Sequence, residues 1–366
     1  MSRSLLTLGA LALAAVAVAL IGSRAVDQGP VSNAAAKSDF GFLLVNPAGA
    51  AELDGTATPD PRVERWQREG WATDFSKTAI DFGDILSGGP PRDGIPSIDA
   101  PKFVPVAEET GLADREPVIS LVADGEAKAY PLRVIMWHEI ANDTIAGKPV
   151  AVTYCPLCNA AIVFDATLDG QTFDFGTTGK LRNSDLVMYD RQTETWWQQF
   201  LGEAITGEKT GATLKMLPSR LDSWGRFKAD HPDGMVLVPN NQQMRAYWRN
   251  PYAGYDSATA PFLYDGALPE GIPALERVLL VRDSEPFAIA WPVIEAEKTI
   301  RRGDIVITWE PGQASALDTS RIDEGRDVGS VTVVRDSASG AEPVVHDVTF
   351  AFVVAAFEPT LTIRTE

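Results

Sequence analysis

The stretch Val150–Asp165, V-A-V-T-Y-C-P-L-C-N-A-A-I-V-F-D, constrains this chain more than any other. Two short apolar runs rich in β-branched residues, Val150–Tyr154 and Ala160–Phe164, flank Cys155, Pro156, Leu157, Cys158 and Asn159. Runs of that length around a tight connection predict strand, turn, strand. The turn also carries both cysteines of a 366-residue protein.

That setting bears on what the thiols can do. Redox C-x-x-C pairs of the thioredoxin type sit where a strand feeds a helix, whose N-terminus lowers the thiol pKa. No helical pattern follows Cys158. A C-P-x-C turn closed by a residue that tolerates left-handed backbone resembles the metal-binding knuckle of zinc ribbons and rubredoxins, where both sulfurs face one ion. Asn159 accepts that conformation, though less readily than Gly. Three readings stay open: a metal knuckle, a redox pair, and small buried hydrophobes in a strand corner.

The rest of the chain repeats the strand signal. Glu116–Val122 and Glu126–Leu132 flank Asp124-Gly125, a strong two-residue hairpin turn. Leu186–Tyr189 and Glu194–Phe200 read as a further pair, with Trp196 and Trp197 on opposite faces, one toward the core and one toward a surface or cleft. Ser223–His231 has a short helical look that His231-Pro232 ends. Turn signals recur between short apolar runs and no βαβ alternation is visible, so the expected class is mainly β, with α+β character only at the margins.

A faint internal echo divides the chain. Phe287–Pro292 matches Ala127–Pro131, Ile305–Pro311 matches Val150–Pro156, and Val348–Phe352 matches Gln171–Phe175, in the same order. The expectation is two related antiparallel β modules with few short helices, 85–266 and a degenerate 267–366. In the second, Glu310 and Gln313 stand where Cys155 and Cys158 would be. The interval Pro292–Pro311 is six residues shorter than Pro131–Pro156, which removes the segment bearing His138. Joint loss of the three is expected if they form one site.

Charge and the N-terminus give the address. A formal net charge of -18 argues against nucleic acid and against an anionic membrane surface as partners, because both need clustered Lys and Arg. The partner left open is an envelope protein or a small ligand. Residues 1–25 hold a basic start, an apolar run Leu5–Ile21 and a small-residue site ending at Ala25, the pattern of a cleaved signal peptide or of an uncleaved anchor. The expected location is periplasmic or extracellular. Residues 26–84, rich in Ala, Asp, Gly and Pro, read as a linker or loosely packed lead-in. Two cysteines so close together cannot be a structural disulfide framework.

Candidate ligands besides the thiols are His138, 17 residues before Cys155, with Met188 or His231 as a candidate fourth donor. Two thiolates and an imidazole suit zinc or copper, and a thioether would favour Cu(I). His231 also reads as a helix C-cap. No Ser-His-Asp triad, phosphate loop, H-E-x-x-H or haem C-x-x-C-H pattern is present.

Several longer motifs carry a resemblance. A-Y-P-L-R-V-I-M-W-H-E-I-A-N-D, Y-C-P-L-C-N, L-R-N-S-D-L-V-M-Y-D-R-Q-T-E-T-W-W-Q-Q, G-E-A-I-T-G and N-P-Y-A-G-Y-D-S look like the exported bacterial and archaeal family catalogued as domain of unknown function 3179, over roughly Ile85–Phe357. The resemblance implies motif positions at Glu139, Asn183, Ser184, Asp185, Asp190, Arg191 and Trp197 beside the thiols and His138, and usually a Gly where Asn159 stands. Asp185, Asp190 and Arg191 also suit turn capping and salt bridges. The family brings no established activity. The expected function is metal binding through the C-x-x-C knuckle plus His138, against a thiol-disulfide oxidoreductase or electron carrier, or a ligand-binding module with structural cysteines.

Overall fold

A computed structural model describes residues 60–366. The export signal expected at 1–25 and most of the expected linker lie outside the described residues. Among those described, no helix is long and apolar enough to cross a membrane.

Short antiparallel strands dominate, joined by tight turns and a few short helices. The turns follow from residues that accept positive φ. Asp124 and Gly125, at φ 47° and 85°, join Pro117–Ala123 to Glu126–Pro131. Ala146 and Gly147, at 47° and 74°, join Ile140–Ile145 to Lys148–Cys155. Two consecutive left-handed residues match the twist of the strands they link, which is why such hairpins are stable.

Two runs of elements share one topology. In the first, the hairpin Pro117–Ala123 and Glu126–Pro131 leads through the helix Leu132–Ile135 to the hairpin Ile140–Ile145 and Lys148–Cys155, then to Ala160–Asp165. Ser219–Ser223 returns to pair with Pro117–Ala123, the helix Trp224–Asp230 follows, and Met235–Val238 pairs parallel with Glu126–Pro131. In the second, Arg277–Val281 and Phe287–Ala290 lead through the helix Trp291–Glu297 to Thr299–Arg302 and Ile305–Glu310, then Ser330–Ser337. His346–Phe350 returns to Arg277–Val281, the helix Ala351–Phe357 follows, and Ile363–Arg364 pairs parallel with Phe287–Ala290. The third sequence echo is therefore out of place: His346–Phe350 occupies the position of Ser219–Ser223, not that of Gln171–Phe175. Short apolar strands are similar enough to align falsely.

The first run alone carries a large insertion between Ala160–Asp165 and Ser219–Ser223. Together with the earlier strand Ile85–Ser87 it forms an antiparallel sheet in the order Ile85–Ser87, Phe175–Arg182, Asp185–Asp190, Trp196–Gln198, Glu203–Thr206. One face joins the main core through Met188 and Trp197; the other packs Val187, Tyr189 and Trp196 against Trp66, Trp71 and Phe75. Residues 60–84, expected as linker, are thus part of the fold. The helix Pro61–Arg68, capped by Asp60, buries Trp66 completely, with its ring 4.8 Å from that of Trp196. The composition concealed this because three aromatic anchors are enough to seat a polar, Gly- and Pro-rich segment. Both Trp196 and Trp197 are buried, so neither faces a cleft.

Candidate metal centre

The thiols sit in the strand-turn-strand corner expected of them. Lys148–Cys155 and Ala160–Asp165 pair up to Cys155 opposite Ala160. The amide of Cys158 donates back to the carbonyl of Cys155 at 3.2 Å. Asn159 takes the left-handed conformation, φ 52°, that closes the knuckle. Its side-chain nitrogen donates to the carbonyl of Val348 at 3.0 Å, and its side-chain oxygen accepts from the Tyr154 hydroxyl at 3.2 Å. Thr349 Oγ1 donates to the Cys158 carbonyl at 2.8 Å. The turn is therefore moored to the second run of strands. Both cysteines are free thiols and buried.

The third donor comes from the inserted sheet. Asn183 and Ser184, at φ 52° and 64°, form the two-residue turn before Asp185–Asp190 and deliver Asp185 to the sulfurs. Cys155 Sγ, Cys158 Sγ and an Asp185 carboxylate oxygen lie within 4.8 Å of one another. Asp185 is fully buried. Its Oδ2 accepts from Gln198 Nε2 at 2.6 Å and from the Phe200 amide at 2.9 Å, whereas Oδ1 has no nitrogen or oxygen donor and only the two weakly donating thiols are at hand to meet it.

Burial favours the neutral, protonated form of every acid in the cluster. Burial pushes the Asp185 carboxyl up to about 6, against the lowering effect of its hydrogen bonds. Burial, then the charge of Asp185, pushes Glu139 up to about 8. Burial also raises the Cys155 thiol and, further, that of Cys158. Each group resists ionisation chiefly because burial removes water from its charged form, with neighbouring acids adding to this at Glu139 and the thiols. A bound cation reverses that: it deprotonates thiols outright and turns the same cluster into ligands.

The chain belongs to the family described as a protein of unknown function, DUF3179. The matching residues, 92–361, span both runs of strands and the inserted sheet. No curated protein and no solved structure matches the chain.

The other residues singled out from this DUF3179 sequence are placed as follows. His138 is not among the three converging donors. Its Nδ1 is 2.7 Å from the Pro96 carbonyl and its Nε2 2.8 Å from the Tyr247 hydroxyl, so both ring nitrogens are engaged. A carbonyl only accepts, which makes Nδ1 the donor and leaves Nε2 to accept from Tyr247. Through these two bonds His138 links the Pro96 and Tyr247 segments. Met188 is buried in the main core that also holds both thiols, opposite Trp197 in the neighbouring strand. His231 is the C-cap of the helix Trp224–Asp230, with its ring 5.0 Å from Phe227.

Asp190 accepts from the amide and hydroxyl of Thr193 and from Trp197 Nε1, which makes it a turn residue of this DUF3179 protein. Arg191 pairs with Asp99 at 2.6 Å and donates to Ser97. Ser184 Oγ donates to the Phe262 carbonyl at 2.5 Å and so ties the thiol side to the Asn250–Gly266 stretch. Tyr252, Tyr255 and Tyr264 of that stretch pack against the core that holds both thiols. Tyr252 and Tyr255 sit close enough that thiolate charge on Cys155 would raise both their hydroxyl pKa values, after the larger effect of burial. Asp256 anchors the stretch through Arg277 at 3.1 Å and Arg326 at 2.9 Å.

Proposed function

We infer that this protein binds a thiophilic metal ion through Cys155, Cys158 and Asp185. The observation that carries the reading is the convergence of three deprotonatable groups, within 4.8 Å of one another, on a buried spot where Asp185 Oδ1 has no nitrogen or oxygen donor. Two thiolates and a carboxylate carry three negative charges. A divalent ion such as zinc offsets more of that charge than Cu(I), and a mixed sulfur and oxygen set suits its borderline character.

A thiol-disulfide role fits less well. Such enzymes need an attacking thiolate stabilised by a helix N-terminus or a cation, and here both thiols are shifted up and face carboxyl groups. Export through the N-terminal apolar run is part of the proposal; in an oxidising compartment a bound ion and burial would both protect the thiols.

The test is anaerobic purification of the full chain, followed by metal analysis and thiol titration with and without a chelator. One bound ion per chain, with two thiols that react only after chelation, supports the reading. No metal uptake on reconstitution with Zn(II) or Cu(I), together with a reversible disulfide, would overturn it in favour of redox chemistry.

A further inference from the structure

The consecutive residues Gln198, Gln199 and Phe200 are fully buried and reach both halves of the thiol site. Gln198 Nε2 donates to Asp185 Oδ2 at 2.6 Å, and the Phe200 amide donates to the same oxygen at 2.9 Å. Gln199, between them, turns to the other half. Its Nε2 donates to Thr153 Oγ1 at 2.8 Å and to the Ala160 carbonyl at 3.3 Å. Thr153 and Ala160 belong to the two strands that carry the thiol turn, and Ala160 stands opposite Cys155. One short segment therefore grips the carboxylate with its first and third residues and the thiol hairpin with its second.

The far side of the segment is held as well. Arg282 Nη2 donates to the Phe200 carbonyl at 2.8 Å, and the Arg282 guanidinium, paired with Asp347, lies 4.6 Å from the Phe200 ring centroid. Arg182 Nη1 donates to Gln198 Oε1 at 3.4 Å. An arginine only donates and a carboxylate oxygen accepts, so a single orientation of the Gln198 amide serves both: carbonyl to Arg182, nitrogen to Asp185. With two donors, Oδ2 has both lone pairs engaged, whereas Oδ1 has no nitrogen or oxygen donor. The second run of strands lacks the inserted sheet and with it this segment, and it also lacks both cysteines.

We propose that Gln198 is a positioning residue of the metal centre: with the Phe200 amide it occupies Asp185 Oδ2, so that Asp185 ligates through Oδ1 alone. Gln199 meanwhile ties the thiol hairpin to the same segment. This rests on the metal reading above and deepens it. Ligation through one oxygen keeps the coordination number low, which suits a tetrahedral ion of the zinc type and disfavours calcium, which takes more oxygens and often both of a carboxylate. Gln198 acts through Asp185, as groups behind a ligand do when they fix its orientation.

The test combines Gln198→Met, which keeps the length of the side chain and removes the donor, with Asp185→Asn. Full-length apoproteins are titrated with Co(II), whose near-ultraviolet bands report thiolate ligation, and with Zn(II) against a chromophoric chelator. Gln198→Met alone should keep the thiolate bands and bind Zn(II) about ten- to a hundredfold more weakly. Added to Asp185→Asn, it should cost little further affinity, because the group it positions is already gone. Affinity unchanged by Gln198→Met, or an equal loss in both backgrounds, would overturn the positioning role and leave the three-ligand site standing. Absence of thiolate bands in the native protein would overturn the metal reading and this inference together. Should Gln198→Met fail to fold, infrared difference spectra of the Zn(II)-loaded native protein against Asp185→Asn decide the matter. Wide splitting of the carboxylate stretches is expected of one ligating oxygen, and the narrow splitting of a bidentate carboxylate would contradict it.

Discussion

The side chain of Asn159 reaches across to the second run of strands and donates to the carbonyl of Val348 at 3.0 Å. One residue therefore closes the thiol turn, through its left-handed backbone, and fastens that turn to an element nearly two hundred residues away in sequence. Replacing it separates the two roles. Asn159→Gly keeps the backbone geometry and loses two buried hydrogen bonds, at a cost of about 1–3 kcal/mol. Asn159→Ala loses the same bonds and adds roughly 1 kcal/mol for a left-handed residue with a Cβ. Urea unfolding should rank the three proteins Asn, Gly, Ala, and Ala above Gly would contradict the account.

Cys155→Ser, Cys158→Ser and Asp185→Asn should each abolish most metal affinity. A double variant should be little worse than a single one, because the remaining donors lose their ion once any one is gone. His138→Ala, by contrast, leaves two polar partners unmet and should cost about 2–3 kcal/mol while metal content stays at the native level. Metal analysis beside thermal melts separates the two classes; loss of metal from His138→Ala would restore that residue to the site.

The apoprotein should lose stability as pH rises from 5 to 8. Glu139 is raised from its ordinary 4.5 to about 8, and Asp185 from 3.8 to about 6. An acid raised on folding binds more protons folded than unfolded, so its favourable contribution is complete below the unfolded pKa and is lost as pH climbs through the folded one. Metal affinity runs the other way, since the donors must shed protons. Melting temperatures of apo and metal-loaded protein across that range should diverge with pH, and Glu139→Gln should remove most of the apo slope above pH 6.

Trp66→Ala should cost about 3–5 kcal/mol, the scale of deleting a large buried aromatic. A cost below about 1 kcal/mol in urea unfolding would mean that residues 60–84 are only laid on the surface.

Local chemistry decided what the sequence could reveal. The strand-turn-strand corner, the Asp124-Gly125 hairpin and the capping place of His231 depend on residues within a few positions of one another, and each was legible from them. The repeat was legible too, because paired apolar runs and prolines recur in order. Only the tertiary structure brought the third group to the thiols. Asp185 looked like one turn residue among several, and joins the two sulfurs because two left-handed residues in an inserted sheet precede it. His138 looked closer along the chain, yet its ring turned to Pro96 and Tyr247. The physical reason is direction: a sequence gives the order of side chains and their local pitch, whereas convergence of ligands depends on how sheets are stacked and which way each strand face points. The same limit hid Trp66 in a stretch whose average composition reads as linker, for burial is settled by the pocket that Tyr189 and Trp196 provide, not by the segment's own residues.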